Sequence, residues 1–238
     1  MFDEIFARHK RAALMYSGGK DSLCCLLLAR PWWGRLDVVW VDTGNQFPEV
    51  VEHMERVKAL VPHFTVLHSD TRSYFGQHGF PVDVVPTRHT EVGQYIYGPT
   101  SLRMCSRFEC CNANIWSRLE AYRQLVRPTC IVRGDRGTER AKGPENDGDT
   151  EYAFPIWDWT DEQVRELVRS APEGLYQPRH EMDHGTSLDC MTCTAYNDEH
   201  KERMAYLKKY HPELWKMSLD FFKQYKAAVW KEMMELEE

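Results

Sequence analysis

Three groups of residues in this sequence have types and spacings suited to chemistry. The first is Ser17-Gly18-Gly19-Lys20-Asp21-Ser22. Two adjacent glycines let a backbone approach an anion closely and take positive φ. Lys20 adds a point charge, and Ser17 and Ser22 add hydroxyl donors. A helix starting here offers unpaired N–H groups and the positive end of its dipole, which completes a cradle for a phosphate or pyrophosphate. The spacing is not that of a Walker A loop, which needs Gly-x-x-x-x-Gly-Lys. The second group is Asp42 with Thr43 and Gly44, 22 residues beyond Lys20. That distance suits the end of a neighbouring strand, where a carboxylate contacts a nucleotide or holds a metal ion.

The third group is cysteine. Of the eight, Cys105, Cys110 and Cys111 lie close together and Cys190 and Cys193 form a Cys-x-x-Cys. Clustered cysteines in a cytosolic chain point to metal or redox chemistry rather than disulfides. Cys24, Cys25 and Cys130 sit in apolar surroundings and read as small buried hydrophobes. His180-Glu181-Met182-Asp183-His184 fits the zinc-protease pattern, but that pattern works only on a helix. Pro178 and Gly185 flank it, so the histidines read as loop residues or as lining of a site.

These residues need elements to hold them. Ala12–Tyr16, Leu36–Val41 and Phe64–His68 read as buried strands, with helices predicted over Ser22–Arg30 and Pro48–Leu60. Thr71–Ser101 shows no clear period and reads as an irregular connection. A helix over Ala113–Leu125 and a strand over Pro128–Arg133 follow. Ala141–Glu151 is polar and reads as mobile. Thr160–Ser170 opens on Thr-x-x-Gln, a capping-box signature. The tail from Asp198 reads as two helices broken near His211-Pro212, with Leu214, Trp215, Phe221, Phe222, Tyr225, Val229 and Trp230 docking on the body. Strands alternating with helices predict an α/β fold with a parallel sheet.

Composition supports this: 42% apolar and 28% charged residues are ordinary for a globular chain. No apolar run approaches the roughly 20 residues that cross a bilayer, and the N-terminus lacks a signal-peptide core. The sequence therefore reads as cytoplasmic and without membrane contact. A net charge of -6 gives no global basic field toward nucleic acid.

SGGKDS followed by VDTGNQFPEV resembles the PP-loop superfamily, and within it the phosphoadenylyl-sulfate (PAPS) reductase family. The resemblance continues in order through RGDRGTER, YAFPIWDWTDEQV and LDCMTCTAY, spanning Ala12 to Ala195. It implies an adenine-nucleotide α-hydrolase-like (Rossmann-like) sheet with flanking helices over residues 1–197 and a helical extension over 198–238. It implies ATP at Ser17–Ser22, Asp42 and Thr43, with Arg133, Gly134, Arg136 and Arg140 as further nucleotide contacts. Lys20, Asp21 and Asp42 become the catalytic candidates, with Asp21 or Asp42 helping to hold Mg²⁺. Cys110-Cys111 with Cys190-x-x-Cys193 resembles the ligand set of a [4Fe–4S] cluster in adenylyl-sulfate (APS) reductases, and Cys105 competes with Cys110 and Cys111 for two positions.

The resemblance leaves a choice of reaction. Sulfonucleotide reductases attack sulfate with a cysteine near the C-terminus, in a Glu-Cys-Gly-Leu-His motif that this sequence does not contain. An intact SGGKDS resembles ATP pyrophosphatases, and thiolation enzymes of tRNA and of the DNA backbone combine it with an iron–sulfur cluster. The leading expectation is ATP-dependent activation coupled to sulfur transfer onto a nucleic acid. It brings a cysteine-desulfurase-like sulfur donor as partner, in a homo-oligomer or larger complex. The alternatives are an APS or PAPS reductase with another nucleophile and a non-catalytic nucleotide-binding subunit.

Overall fold

The computed structural model describes residues 1–138, 146–181, 190–195 and 200–234. Arg140 and His184 lie outside them. In chain order the elements are α1 (Phe2–Arg8), β1 (Ala12–Met15), α2 (Lys20–Leu28), β2 (Leu36–Asp42), α3 (Pro48–Leu60), β3 (Phe64–His68), α4 (Thr71–His78), β4 (Phe80–Val82), α5 (Glu91–Tyr97) and β5 (Met104–Ser106). A helical run follows as α6 (Arg107–Cys111), a π turn (Asn112–Trp116) and α7 (Ser117–Val126). Then come β6 (Cys130–Val132), β7 (Asn146–Asp147), β8 (Thr150–Ala153), α8 (Asp161–Arg169), α9 (His200–Tyr210) and α10 (Pro212–Met234).

The chain forms two compact units. The first comprises Met1–Asp42, Phe47–His68 and Arg118–His184. Its sheet runs β3-β2-β1-β6-β8-β7, parallel except for β7. β1 sits in the middle, pairing Ala12 with Leu36 on one side and Ala13 with Ile131 on the other. A central strand covered on both faces must be apolar throughout, and Ala12, Ala13 and Leu14 are all buried. Consecutive connections leave β1 toward β2 and β3 on one side and reach β6 and β8 on the other. The order therefore reverses between β1 and β6, where the loops after the two strands open a crevice.

The core of this unit gathers Ala13, Val39, Tyr122 and Ile131, with Met15, Leu67, Leu119 and Tyr152 packed against them. Tyr122 also donates its hydroxyl to Asp37 Oδ2 at 2.7 Å, and Thr65 Oγ1 donates to the same carboxylate at 3.0 Å. This ties α7 to the starts of β2 and β3.

The second unit comprises Thr43–Gln46, Ser69–Ser117 and Gly185–Glu238. Its core is Val82, Met104, Phe221, Tyr225 and Ala228, with Phe222 and Val229 packed against it, so these members of the tail's apolar stripe dock as expected; Trp230 does not and stands exposed. Tyr225 donates its hydroxyl to Val84 O at 2.9 Å. The helix break falls at Pro212, the first residue of α10, where its missing N–H costs nothing.

Two expectations are corrected. Thr71–Ser101 is not irregular: it holds α4, β4 and α5, and β4 pairs in parallel with β5. Asp70 caps α4 by accepting from Ser73 N, and Thr90 caps α5 by accepting from Gly93 N. The polar stretch before Phe154 also contains a strand: β8 pairs with β6 from Cys130↔Glu151 to Val132↔Ala153.

Tyr122→Phe removes one hydrogen bond to a carboxylate and keeps the ring. It should cost about 1–3 kcal/mol of stability, read by urea unfolding, while ATP affinity stays at the wild-type value.

Candidate active site

β1 delivers the chain into the glycine loop at the crevice. Gly18 takes φ +78°, and Gly19 is the N-cap residue of α2. A Cβ at Gly18 would lie 2.7 Å from Met54 Cε and 3.3 Å from both Arg179 Nη2 and His53 Cδ2, so glycine is required by conformation and by space. Ser22 Oγ donates to Gly19 O at 3.0 Å and lies 3.3 Å from Ser17 Oγ. The cradle thus has the strand–loop–helix context that anion binding needs.

The loop after β6 closes against it. Gly134 packs so tightly on the first turn of α2 that a Cβ there would meet Asp21 C at 2.8 Å and Ser22 N at 3.0 Å. Arg136, fully buried, reaches two carboxylates: its Nε is 2.7 Å from Asp21 Oδ1 and its Nη2 donates to Asp161 Oδ1 at 3.1 Å. Lys20 Nζ lies 3.0 Å from Asp21 Oδ2 and 3.3 Å from Asp161 Oδ1. Arg165 Nε also donates to Asp161. Lys20, Asp21, Arg136 and Asp161 therefore form one network at the mouth of the crevice. Arg133 pairs instead with Asp135, Nε to Oδ2 at 2.9 Å.

Asp161 is a site residue that the sequence reading missed. It is the first residue of α8, directly after Thr160, whose hydroxyl accepts from Gln163 N while Gln163 Oε1 accepts from Thr160 N. The capping box was legible. An acid in a first helical turn is ordinary dipole chemistry, so nothing local marks this one as the partner of three cations.

Asp42 ends β2 as expected, half-buried, with His68 Nδ1 3.5 Å from its Oδ2. Thr43 belongs to the second unit. There its carbonyl accepts from Thr71 N at 2.9 Å and its Oγ1 lies 3.5 Å from Cys190 Sγ.

The residues of the His-Glu-x-x-His pattern go elsewhere. Pro178–Glu181 is a 3₁₀ turn, not an α-helix. The Glu181 carboxylate is bound by Arg169 at 2.8 and 2.9 Å and by Tyr176, and those bonds to Arg169 and Tyr176 pull its pKa down to about 2. His180 Nε2 lies 3.0 Å from Gly18 O. His53 Nε2 lies 2.6 Å from Tyr16 Oη. Burial, then the Arg179 charge, lowers His180 to about 3 and His53 to about 2, so both imidazoles are neutral at pH 7.

In the second unit, Cys105, Cys110, Cys111, Cys190 and Cys193 come within electrostatic reach of one another. Burial first, then the nearby Cys105, Cys111, Cys190 and Cys193, pushes the Cys110 thiol well above the ordinary range. Burial, Glu109, Cys111 and Cys193 push Cys105 up to about 12. Cys105 Sγ donates to Gly79 O at 3.3 Å. Asn114 Nδ2 lies 3.8 Å from Cys110 Sγ and donates to Cys110 O. Mutual repulsion of this kind is what a bound cation relieves, and an all-sulfur donor set suits iron–sulfur or zinc. Among the described residues no three ligands are already gathered around a metal-sized position. Cys24, Cys25 and Cys130 are fully buried in the first unit, as the sequence reading has them.

A glycine cradle at the switch point of a parallel sheet defines a nucleotide-binding α/β protein. The chain belongs to the phosphoadenosine phosphosulfate reductase domain family, whose model matches residues 11–196; its fold is thus the adenine-nucleotide α-hydrolase type of the PP-loop superfamily. Among curated proteins it is 38% identical over 65 residues to sulfate adenylyltransferase subunit 2 of Streptomyces lavendulae, a match over 26% of this chain and 20% of that protein. Similar solved structures include PAPS reductase from Candida auris in a phosphate complex, with 13% identity, TM-score 0.48 and coverage of 68% of this chain and 74% of that one. NH3-dependent NAD synthetase from Campylobacter jejuni is 14% identical with TM-score 0.45, over 93% and 87% of the two chains. No helix among the described residues is long and apolar enough to cross a membrane.

The neutral histidines give a pH dependence whose sign follows from linkage. Their folded pKa values lie below the ordinary value near 6.5, so the unfolded chain takes up protons that the folded one refuses. Their contribution is intact above about pH 6.5 and is lost as pH falls toward 3, at up to about 1.4 kcal/mol per pH unit per ring. Urea unfolding at pH 7, 6 and 5 should show stability falling stepwise, and His53→Gln should flatten the slope by about one proton.

Proposed function

We propose that this protein uses ATP to activate an acceptor, releasing pyrophosphate, and couples the activation to sulfur transfer onto a nucleic acid. The observation that carries the reading is the pairing, in one chain, of a lysine-bearing glycine loop at a switch point with five cysteines gathered in one unit. The cradle supports a triphosphate because it offers more than a monophosphate needs: the N-terminus of α2, two serine hydroxyls and Lys20.

In this reading an acceptor oxygen attacks the α-phosphorus of ATP. The bond to the β,γ-pyrophosphate breaks and pyrophosphate leaves, stabilised by Lys20 and the α2 N–H groups. Sulfide then displaces AMP, so an acceptor–sulfur bond forms as the acceptor–oxygen bond breaks. Asp161 and Asp21 orient the Lys20 ammonium, and Arg136 keeps the two carboxylates in place. Asp21 and Asp42 would hold Mg²⁺, which needs only one or two carboxylates when phosphates supply other ligands. Cys110, Cys111, Cys190 and Cys193 would hold a [4Fe–4S] cluster, which when bound supplies iron for carrying sulfide. A cysteine-desulfurase-like protein is the matching sulfur source.

One finding favours a second reading. The family description names phosphosulfate reduction, and that reaction needs a free thiolate to attack sulfur. No cysteine follows Cys193 in this sequence. Sulfite formation from APS or PAPS, abolished by replacing Cys105, Cys110 or Cys111 with iron retained, would establish the reductase instead.

Lys20→Ala should lower ATP-dependent pyrophosphate release by ~10²-fold or more; unchanged turnover would remove the cradle from the mechanism. Protein purified without oxygen should carry about four irons with acid-labile sulfide. Cys190→Ser and Cys193→Ser should each lose that iron, whereas stoichiometric zinc without sulfide would replace the cluster by a structural site.

A further inference from the structure

His180 is buried, belongs to a motif the proposed function leaves unused, and touches the cradle from below. Its two ring nitrogens have distinct partners. The Gln177 backbone N–H donates to Nδ1 at 3.1 Å. An acceptor nitrogen carries no proton in the neutral ring, so the proton is on Nε2. Nε2–H therefore donates to the Gly18 carbonyl at 3.0 Å. A charged imidazolium would place a second N–H against that of Gln177, so the arrangement exists only in the neutral ring.

The Gly18 carbonyl matters because of what lies across its peptide bond. The unit from Gly18 C=O to Gly19 N–H is planar and trans, so fixing the oxygen on one side fixes the N–H on the other. Two consecutive glycines otherwise leave this peptide free to flip, since glycine accepts φ of either sign. Gly19 N–H is the loop donor next to the first turn of α2, and it donates at a long 3.3 Å to Ser17 Oγ. His53 stands edge-on to His180 at 5.6 Å between ring centroids and closes the space beneath Gly18.

We infer that His180 is a positioning residue for the anion cradle, its Nε2–H locking the Gly18–Gly19 peptide so that the Gly19 N–H points into the site. The inference rests on the reading of Ser17–Ser22 as the ATP phosphate cradle.

Two amide substitutions divide the two bonds of His180. A glutamine side chain carries its NH2 near the position of Nε2, and an asparagine side chain reaches only the position of Nδ1. His180→Gln should keep the Gly18 bond and bind ATP within about threefold of wild type. His180→Asn should keep the Gln177 turn, lose the Gly18 bond and weaken ATP binding by about tenfold, the size of one hydrogen bond. In ¹⁵N-labelled protein without added ATP, the Gly19 amide should exchange faster in His180→Asn alone. The wild-type protein supplies a check that needs no variant to fold: ¹⁵N chemical shifts should show the Nε2–H tautomer of His180 at pH 7. Equal ATP affinities and equal Gly19 exchange in both variants, or an Nδ1–H tautomer in the wild type, would overturn the inference. Wild-type protein that binds no ATP would instead refute the proposed function, and the Gly19 exchange would still decide the role of His180.

Discussion

The carboxylate of Asp161 is the point on which the site depends. Three cations from three different segments converge on it: Lys20 from the glycine loop, Arg136 from the loop after β6 and Arg165 from α8 itself. Arg136 is fully buried, and a buried guanidinium is tolerated only with its charge and donors satisfied. Asp161 and Asp21 together supply the countercharge, Asp161 accepting from Nη2 and Asp21 standing 2.7 Å from Nε. The same pair holds Lys20 at the mouth of the crevice, so one electrostatic requirement of the interior sets the position of the glycine loop's lysine. Replacing a single member would leave several charges unmatched, which is why such groups show strongly non-additive substitution effects.

The cysteines obey the opposite logic. Where the ion network sets opposite charges side by side, the second unit sets thiols near one another, and burial followed by neighbouring cysteines raises the pKa values of Cys105 and Cys110. Cys105 finds a partner in the Gly79 carbonyl and so stays a thiol.

Much of the fold was legible because its signals are local. The β1 and β2 runs are apolar on both faces, as strands covered by helices must be, and Thr160 with Gln163 announced α8. The cradle was legible for the same reason, since its residues are contiguous. What failed depended on distant partners. The strand β8 is polar in sequence and exists because β6 pairs with it. In Thr71–Ser101 the helices are one or two turns long and interrupted by Gly76 and Gly93, too short to show a period, although Asp70 and Thr90 were available as caps. Asp161 meets Lys20 more than a hundred residues away in the chain; His180 was legible as lining of a site, and only its partner Gly18 was not. Arg136 reads in the sequence as a nucleotide contact, and nothing local signals the two carboxylates its guanidinium faces, Asp21 and Asp161.

The short strand β7 bears on how the sheet terminates. A parallel sheet can grow by adding strands at either margin, and an open margin is a template for another copy of the chain. Here β7 runs against the direction of the rest, covers β8 for two residues only, and presents Asn146 and Asp147, both exposed. Asp147 is paired with Arg123 at 3.4 Å, so a charged residue fixed in place stands where a recruited strand would dock. The hairpin at this margin thus leaves a two-residue polar edge, a poor template for a further strand.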